Sequence, residues 1–238
     1  MTDDGKRRWK GPPKNEKASS GRRMSERKII AYNAKDESSK RWIERQLSDP
    51  YVQRAKADDY RARAAYKLLE IDEKTGLLKG ASRVVDLGSA PGGWLQVCLR
   101  RGVKEIVGID LLPVDPLPGA HLIQGDINEP EDVAAMMEGL TGPPDLVLSD
   151  MAANTTGHKQ TDSLRTAALS EMALWFASEH LTQGGSFCSK VFQGGATPEL
   201  MQEMKRLFKT VKHVKPPASR TGSPELFVVA QGFRGKAA

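Results

Sequence analysis

The chain has 238 residues, of which 39% are hydrophobic and 28% are charged, with two cysteines and a formal net charge of +6. This length suffices for one well-buried domain with a tail. No apolar run approaches the roughly 20 residues of a membrane span, and the polar N-terminus lacks the apolar core of a secretory signal. These features argue against a membrane protein and a secreted disulfide scaffold, and we expect a cytoplasmic monomer.

The positive charge is concentrated at the N-terminus. Residues 1–41 hold 13 Lys and Arg against 6 Asp and Glu, whereas the rest of the chain is close to neutral. We expect residues 1–37 to form a basic, disordered arm and residues 38–238 to form the folded domain. Such an arm is typical of a nucleic-acid partner, because each phosphate contact releases counterions. A solvating tail without a partner is the alternative, and composition does not decide between them.

Strands and helices alternate along the folded part. A short helix from Ser38 or Ser39 is expected to stop near Pro50, and a second helix is expected over about 62–73. Continuous Val, Ile and Leu runs separated by helices predict a parallel sheet covered on both faces. The last two strands are joined without a helix and should form an antiparallel hairpin. The predicted strands are 83–87, 105–110, 121–124, 145–150, 186–191, 211–215 and 226–231, and the predicted helices between them are 94–101, 131–138, 163–181 and 198–208.

The first strand ends in a glycine-rich turn, Asp86-Leu87-Gly88-Ser89-Ala90-Pro91-Gly92-Gly93-Trp94. Glycines at such a strand end permit a tight turn and a close approach of the backbone to a ligand. We therefore expect the turn to bind a ligand through Gly88, Pro91, Gly92, Gly93 and Trp94. Trp94 is equally compatible with a place in the core.

Two carboxylates follow the next strands and point to an adenosine-containing ligand. Asp110 ends the second strand, where a carboxylate accepts from ribose hydroxyls. Asp126 follows the third strand and is placed to accept from an adenine amine. The turn satisfies neither G-x-G-x-x-G nor the phosphate-binding loop. This spacing favours S-adenosylmethionine over a nicotinamide or flavin cofactor, with a purely structural turn as the remaining alternative.

Four charged residues form a candidate reactive set. Asp150 ends the fourth strand, at the edge where open parallel sheets bind ligands. Lys190 lies inside an apolar strand, where an unpaired ammonium is costly. Lys67 lies on the second helix and Glu225 begins the last strand. Each alone is compatible with a solvated position, and only the four together indicate chemistry.

The sequence resembles the FtsJ family of ribose 2′-O-methyltransferases from about Ser38 to Phe233. The resemblance implies a Rossmann-like class I methyltransferase fold and S-adenosylmethionine as cofactor. No metal is expected, because the four histidines at 121, 158, 180 and 213 have neither ligand-like spacing nor a cysteine partner. The resemblance also implies a catalytic set of Lys67, Asp150, Lys190 and Glu225, and methyl transfer to a uridine ribose of 23S ribosomal RNA in the large ribosomal subunit. The cofactor contacts that it implies are Gly92, Trp94, Asp110, Asp126 and Asp150. The matching segments are Tyr66-Lys67-Leu68, the glycine turn, Asp110-Leu111-Leu112-Pro113, Ser149-Asp150-Met151-Ala152, Lys190-Val191-Phe192-Gln193-Gly194 and Glu225-Leu226-Phe227-Val228-Val229-Ala230.

The roles of these residues leave alternatives open. Lys190 is either the base that accepts the hydroxyl proton or a cation that orients the hydroxyl while Asp150 accepts the proton. A catalytically inactive ribosome-assembly factor with the same fold is the competing function. RNA contacts are expected from Arg54, Lys56, Arg61, Arg63 and Arg220, because arginine beside tyrosine holds phosphates and stacks bases.

Overall fold

The computed structural model describes residues 48–154, 156–194, 197–220 and 222–235. The predicted arm at 1–37 and the helix predicted from Ser38 lie outside these residues. Ser48 is helical and Asp49 is not, which agrees with a stop near Pro50. Pro50 is the first residue of the next helix, and the Asp49 carboxylate caps it by accepting from the Tyr51 N–H. The helices are α1 (Pro50–Ala57), α2 (Ala64–Thr75), α3 (Gly93–Arg100), α4 (Pro130–Glu138), α5 (Lys159–His180) and α6 (Pro198–Leu207). The strands are β1 (Arg83–Leu87), β2 (Glu105–Asp110), β3 (His121–Gln124), β4 (Leu146–Ser149), β5 (Ser186–Phe192), β6 (Phe208–Val214) and β7 (Glu225–Phe233).

These strands form one sheet in the order β3-β2-β1-β4-β5-β7-β6. The first five are mutually parallel, and β7 runs antiparallel between β5 and β6. The predicted mostly parallel seven-stranded sheet with a C-terminal antiparallel hairpin is therefore confirmed. One detail of the hairpin differs: only β7 opposes the parallel strands, because β6 pairs with the far side of β7.

Two apolar layers cover the sheet. On one face, Leu68 of α2 and Leu95 of α3 pack in a cluster that includes Val84. On the other face, Met136 of α4 and Met204 of α6 pack in a cluster that includes Val85 and residues of α5. Because successive side chains of a strand point to opposite faces of the sheet, the neighbours Val84 and Val85 pack in opposite layers.

The strand order reverses between β1 and β4, which lie side by side. β1 leads away to β2 and β3 on one side, and β4 leads to β5 on the other. In an open parallel sheet this switch opens a crevice at the carboxyl ends of the strands. The glycine turn follows β1 and Asp150 follows β4, so both lie at that crevice. No helix among the described residues is long and apolar enough to cross a membrane.

Candidate active site

The four charged residues predicted from sequence form one cluster at the carboxyl edge of the sheet. Lys67 Nζ donates to Glu225 Oε2 at 2.8 Å and to Asp150 Oδ2 at 3.3 Å. Lys190 Nζ donates to the backbone oxygen of Asp150 at 2.8 Å and lies 3.1 Å from Asp150 Oδ1. Asp150 thus sits between two ammonium groups that come from α2 and β5. Residues up to 158 positions apart in sequence meet here, because the carboxyl ends of β4 and β5 and the start of the antiparallel β7 share one edge, where Lys67 of α2 contacts Asp150 and Glu225.

The cluster is nearly closed to solvent and balances its charges. The side chains of Lys67, Lys190, Asp150 and Glu225 are between 6% and 16% exposed. Burial disfavours the Lys67 ammonium, but Asp150 and Glu225 outweigh it and raise the pKa of Lys67. Burial also disfavours the Asp150 carboxylate, yet the charges of Lys67 and Lys190 lower its pKa. Both groups therefore stay charged at neutral pH.

The outer partners of the cluster hold Glu225 in place. Glu225 Oε1 accepts from the Ser219 hydroxyl at 2.8 Å, and the Glu225 N–H donates to Ser223 Oγ at 3.2 Å. The ring of Phe227 lies beneath Lys67, with Nζ 5.6 Å from its centroid. Each carboxylate oxygen of Glu225 thus has one described partner, which fixes the direction in which Glu225 meets Lys67.

In the turn after β1, the backbone at Gly88 packs closely against Met151, which follows β4. Gly88 has φ +79°, and a Cβ added there would lie 2.7 Å from Met151 Cγ and 2.9 Å from Met151 Cα. Only glycine accommodates this conformation and this approach without strain. Asp110 fastens the turn, because its Oδ2 accepts from the Ala90 N–H at 2.8 Å while its Oδ1 accepts from the Leu112 N–H at 2.8 Å.

A cavity of about 320 Å³ opens beside this turn, and we name it the crevice cavity. Three of the predicted cofactor residues, Gly88, Asp110 and Asp126, line it. The volume lies within the range typical of small-molecule sites. The sequence interpretation did not assign the other residues of its wall. Most of them lie next to Asp110, Asp126 or Asp150 and were findable by position, whereas Leu169 and Met172 come from α5 and gave no such signal. These other wall residues are Ile109, Leu111, Gly125, Ile127, Asn128, Met151, Ala152, Ala153, Leu169 and Met172.

The rest of the predicted turn residues lie outside the wall of this cavity. Trp94 is only 3% exposed, donates from Nε1 to the Ala64 oxygen at 2.8 Å and packs against Phe227 in the core. The sequence left Trp94 either at the ligand site or in the core, and in the structure Trp94 lies in the core. Pro91 and Gly92 precede α3 and Gly93 is its first residue; none of the three lines the cavity, and their contact with a cofactor stays a prediction.

Asp86 is a further candidate that the sequence interpretation passed over. It is 1% exposed, and neither of its carboxylate oxygens has a hydrogen-bond partner within the described part of the chain. Burial, followed by the charges of Asp150 and Asp110, raises its pKa well above the ordinary range. An acid at the end of an apolar strand, directly before a glycine turn, was the available signal. Its orphaned oxygens fit a cationic group of a ligand bound at the turn.

Two of the four expected RNA-binding arginines are engaged within the protein. Arg61 donates to the carbonyl oxygens of Pro91, Asp115 and Pro116 at 3.2, 2.7 and 2.8 Å. Arg63 pairs with Asp49 at 2.9 Å and donates to a backbone oxygen. These contacts make Arg61 and Arg63 structural, and their contact with RNA stays a prediction.

The other three expected RNA contacts have exposed side chains. The guanidinium of Arg54 lies 4.6 Å from the centroid of the Tyr66 ring, and Lys56 is exposed beside it on α1. Arg220 is exposed, with Nε 3.5 Å from Asp49 Oδ2. Arg54, Lys56 and Arg220 therefore remain available to a partner at the surface.

Comparison with known proteins decides the family. The model of the FtsJ-like methyltransferase family matches residues 60–233, a segment that contains the whole charged cluster and the crevice cavity. The chain belongs to the FtsJ-like methyltransferase family. It is 66% identical to the ribosomal RNA large subunit methyltransferase E of Hyphomonas neptunium over 98% of this chain and 100% of that protein. It is 61% identical to the protein of that name from Erythrobacter litoralis, over 84% and 91% of the two chains.

A solved relative supports the same family fold. A crystal structure of a ribosomal RNA methyltransferase from Plasmodium falciparum matches with a TM-score of 0.67 and 33% identity, covering 74% of this chain and all of that one. The Rossmann-like fold expected for an FtsJ-like methyltransferase is therefore confirmed. Within the described ranges, no group of three or more His, Cys, Asp or Glu side chains is arranged to hold a metal ion.

Proposed function

We propose that this FtsJ-like methyltransferase transfers a methyl group from S-adenosylmethionine to the 2′-hydroxyl of a uridine ribose in 23S ribosomal RNA of the large subunit. One observation carries the proposal: the charged cluster and the crevice cavity share one edge of the sheet, with Asp150 directly preceding the cavity residue Met151. A ligand in the cavity would therefore present its reactive group to the cluster.

The residues around the crevice cavity suit S-adenosylmethionine. Asp110 retains lone pairs for the ribose hydroxyls after its two backbone contacts. Asp126 lines the cavity at a place suited to the adenine amine, and the unpartnered Asp86 carboxylate suits the ammonium of the amino acid end. When bound, the cofactor supplies an activated methyl group on a sulfonium. The chain contributes alignment and removal of the hydroxyl proton.

We assign the hydroxyl proton to Lys190, which must be an uncharged amine at that moment because an ammonium has no lone pair to accept it. Lys67 is a poor base because its raised pKa keeps it protonated, and Asp150 is a poor base because its pKa is lowered. The lowered pKa of Asp150 depends in part on the charge of Lys190, so the alternative remains that the Lys190 ammonium orients the hydroxyl while Asp150 accepts the proton. Lys190 Nζ is anchored by the backbone oxygen and the carboxylate of Asp150, which fixes its position at the edge of the sheet. Lys67 and Glu225 hold Asp150 in place.

The proposed RNA substrate rests on the relatives and on the surface. Two relatives at 66% and 61% identity carry the name ribosomal RNA large subunit methyltransferase E. The N-terminal segment of residues 1–41 holds the surplus of Lys and Arg, which fits a polyanionic partner. Exposed Arg54, Lys56 and Arg220 are the described residues that we assign to RNA contact. We take the acting form to be a cytoplasmic monomer.

The test is transfer of labelled methyl from S-adenosylmethionine to large ribosomal subunits that lack the modification, with naked 23S RNA alongside. We expect label on the RNA with the full-length protein and with the control Lys104→Ala, a substitution of an exposed lysine. Lys190→Ala should lose transfer while it keeps cofactor and RNA affinity. Tight binding of both ligands without transfer by the unmodified protein would favour an inactive ribosome-assembly factor instead.

A further inference from the structure

A second cavity lies at the same edge of the sheet, and we name it the β5–β7 cavity. Its volume is about 640 Å³, larger than that of the crevice cavity, and the two share no wall residue. The first turn of α5, the end of β5 and the segment leading into β7 enclose it. The wall residues used below are Lys159, Phe192, Gln193, Lys215 and Pro224.

The strand pairing places this cavity next to the charged cluster. Phe192 lies two residues after Lys190 and therefore points to the same face of β5. It also pairs with Glu225 across the sheet, and the Gln193 N–H donates to the Pro224 oxygen at 2.7 Å. Two residues of strand span about 6–7 Å. The cavity thus begins one nucleotide step, along an extended RNA chain, from the Lys190 position.

The wall combines groups that suit a nucleotide. Phe192 and Pro224 offer apolar surface against which a base can stack, and Gln193 is exposed with an amide that both donates and accepts. Lys159 is exposed at the first position of α5. Lys215 Nζ is held at the rim by donating to the Ser223 oxygen at 2.7 Å. Two ammonium groups at one opening suit a phosphate.

One carboxylate, Asp162, also lines the cavity, but it is committed to the protein. Its Oδ1 accepts from the N–H and the hydroxyl of Thr156, both at 2.7 Å, and its Oδ2 accepts from the Gly157 N–H at 3.1 Å. These bonds close the loop before α5 and turn the carboxylate toward that loop. The two lysines therefore outnumber the acid at the opening.

We propose that the β5–β7 cavity binds the nucleotide next to the acceptor uridine. Its base stacks on Phe192 and Pro224, and its phosphate is held by Lys159 and Lys215. This inference rests on the proposed function, since it takes the acceptor ribose to lie at Lys190. It gives the enzyme a site that holds the RNA strand in register, separate from the exposed arginines.

Lys159 gives the sharpest test, because its side chain is exposed and its replacement should not disturb folding. We would compare Lys159→Ala, Lys159→Arg and the control Lys212→Ala, which removes an exposed lysine of β6 outside both cavities. The probe is a labelled, short single-stranded RNA carrying the acceptor uridine, titrated by anisotropy at several salt concentrations. Lys159→Ala should weaken binding severalfold and lower the slope of log affinity against log salt by about one, whereas Lys159→Arg and Lys212→Ala should leave both nearly unchanged.

The stacking contact is tested with the base itself. Two RNA strands are prepared, one with an abasic residue on the 5′ side of the acceptor and one with it on the 3′ side. The unmodified protein should bind one of these two strands about tenfold more weakly than the intact strand. Phe192→Ala should remove that difference, and Phe192→Leu should retain part of it through apolar contact. An equal response of the unmodified protein and Phe192→Ala to both abasic strands would overturn the stacking assignment.

Methyl transfer to modification-deficient large subunits separates the two proposals. If the unmodified protein transfers methyl and Lys159→Ala matches Lys212→Ala in KM and salt slope, the cavity proposal fails and the function stands. If the unmodified protein binds RNA with the expected Lys159 and Phe192 effects but transfers nothing, the function fails and the cavity remains a nucleotide site. A change in cofactor affinity without a change in RNA binding would also contradict the cavity proposal.

Discussion

The contact between Lys67 and Glu225 should couple the stability effects of their substitution. Lys67→Met leaves Asp150 and Glu225 facing Lys190 alone, a net charge of −1 in a cluster that is at most 16% exposed. Breaking a buried ion pair by removing one partner costs about 3–5 kcal/mol. Residual solvent access places the expected loss of unfolding free energy at the lower end, about 3 kcal/mol.

The double substitution should restore much of this loss. Glu225→Gln alone leaves a surplus positive charge, whereas Lys67→Met with Glu225→Gln leaves the neutral pair of Asp150 and Lys190. We therefore expect the double variant to lose less than the sum of the single variants, by about 1.5–3 kcal/mol. Urea unfolding of the cofactor-free chain, followed by tryptophan fluorescence, measures the unfolding free energy of the unmodified chain, the two single variants and the double variant.

Two observations would refute this reasoning. The first is additivity of the two substitutions within about 0.5 kcal/mol, the scatter of independent sites. The second is a loss for Lys67→Met no larger than that for Lys79→Met, which removes an exposed lysine and should change little. The pH dependence adds a check: since the folded pKa of Lys67 is raised, its contribution is complete below the unfolded value of about 10.4 and is lost only as pH rises through the folded pKa.

Three further predictions concern the turn and the buried acid. Arg61→Ala should weaken cofactor binding about tenfold, measured by calorimetry, because it removes the guanidinium that links the Pro91 carbonyl of the glycine turn to the Asp115 and Pro116 carbonyls. Unchanged affinity would contradict this. Asp86→Asn should gain stability relative to the unmodified chain as pH rises above about 3.9, because the raised folded pKa makes the acid lose stability in that direction; parallel pH profiles in urea unfolding would contradict it. Gly88→Ala should cost at least about 1 kcal/mol more than Gly80→Ala, since both have positive φ but only the first meets Met151; equal costs would contradict it.

The strands and the members of the charged cluster could be predicted from the sequence. Short continuous apolar runs such as 105–110, separated by helices, predict buried strands, and the structure reproduces that range unchanged. Asp150 was identifiable because it follows a strand at the edge where open parallel sheets bind ligands, and Lys190 because an ammonium inside an apolar strand is unusual. Their direct contact follows from the parallel topology, which brings both to the same edge of the sheet.

What the sequence did not reveal depends on contacts between distant segments. Arg61 lies in a basic stretch that predicts RNA binding, and only the fold shows that its guanidinium contacts the 115–116 carbonyls. Its contact with RNA stays a prediction. Trp94 follows a ligand turn, yet the packing of α3 on Phe227 draws it into the core. The insertion of β7 between β5 and β6 likewise follows from sheet pairing, which local periodicity does not encode.

The most direct test of the account is the position of the transferred methyl group. After reaction with large subunits, alkaline hydrolysis of the labelled 23S RNA cleaves every linkage next to a free 2′-hydroxyl and spares one next to a 2′-O-methyl ribose. The account predicts that the label is recovered in an alkali-resistant dinucleotide with uridine at its 5′ position, and that Lys190→Ala yields none. Recovery of the label in mononucleotides, as a methylated base, would contradict it.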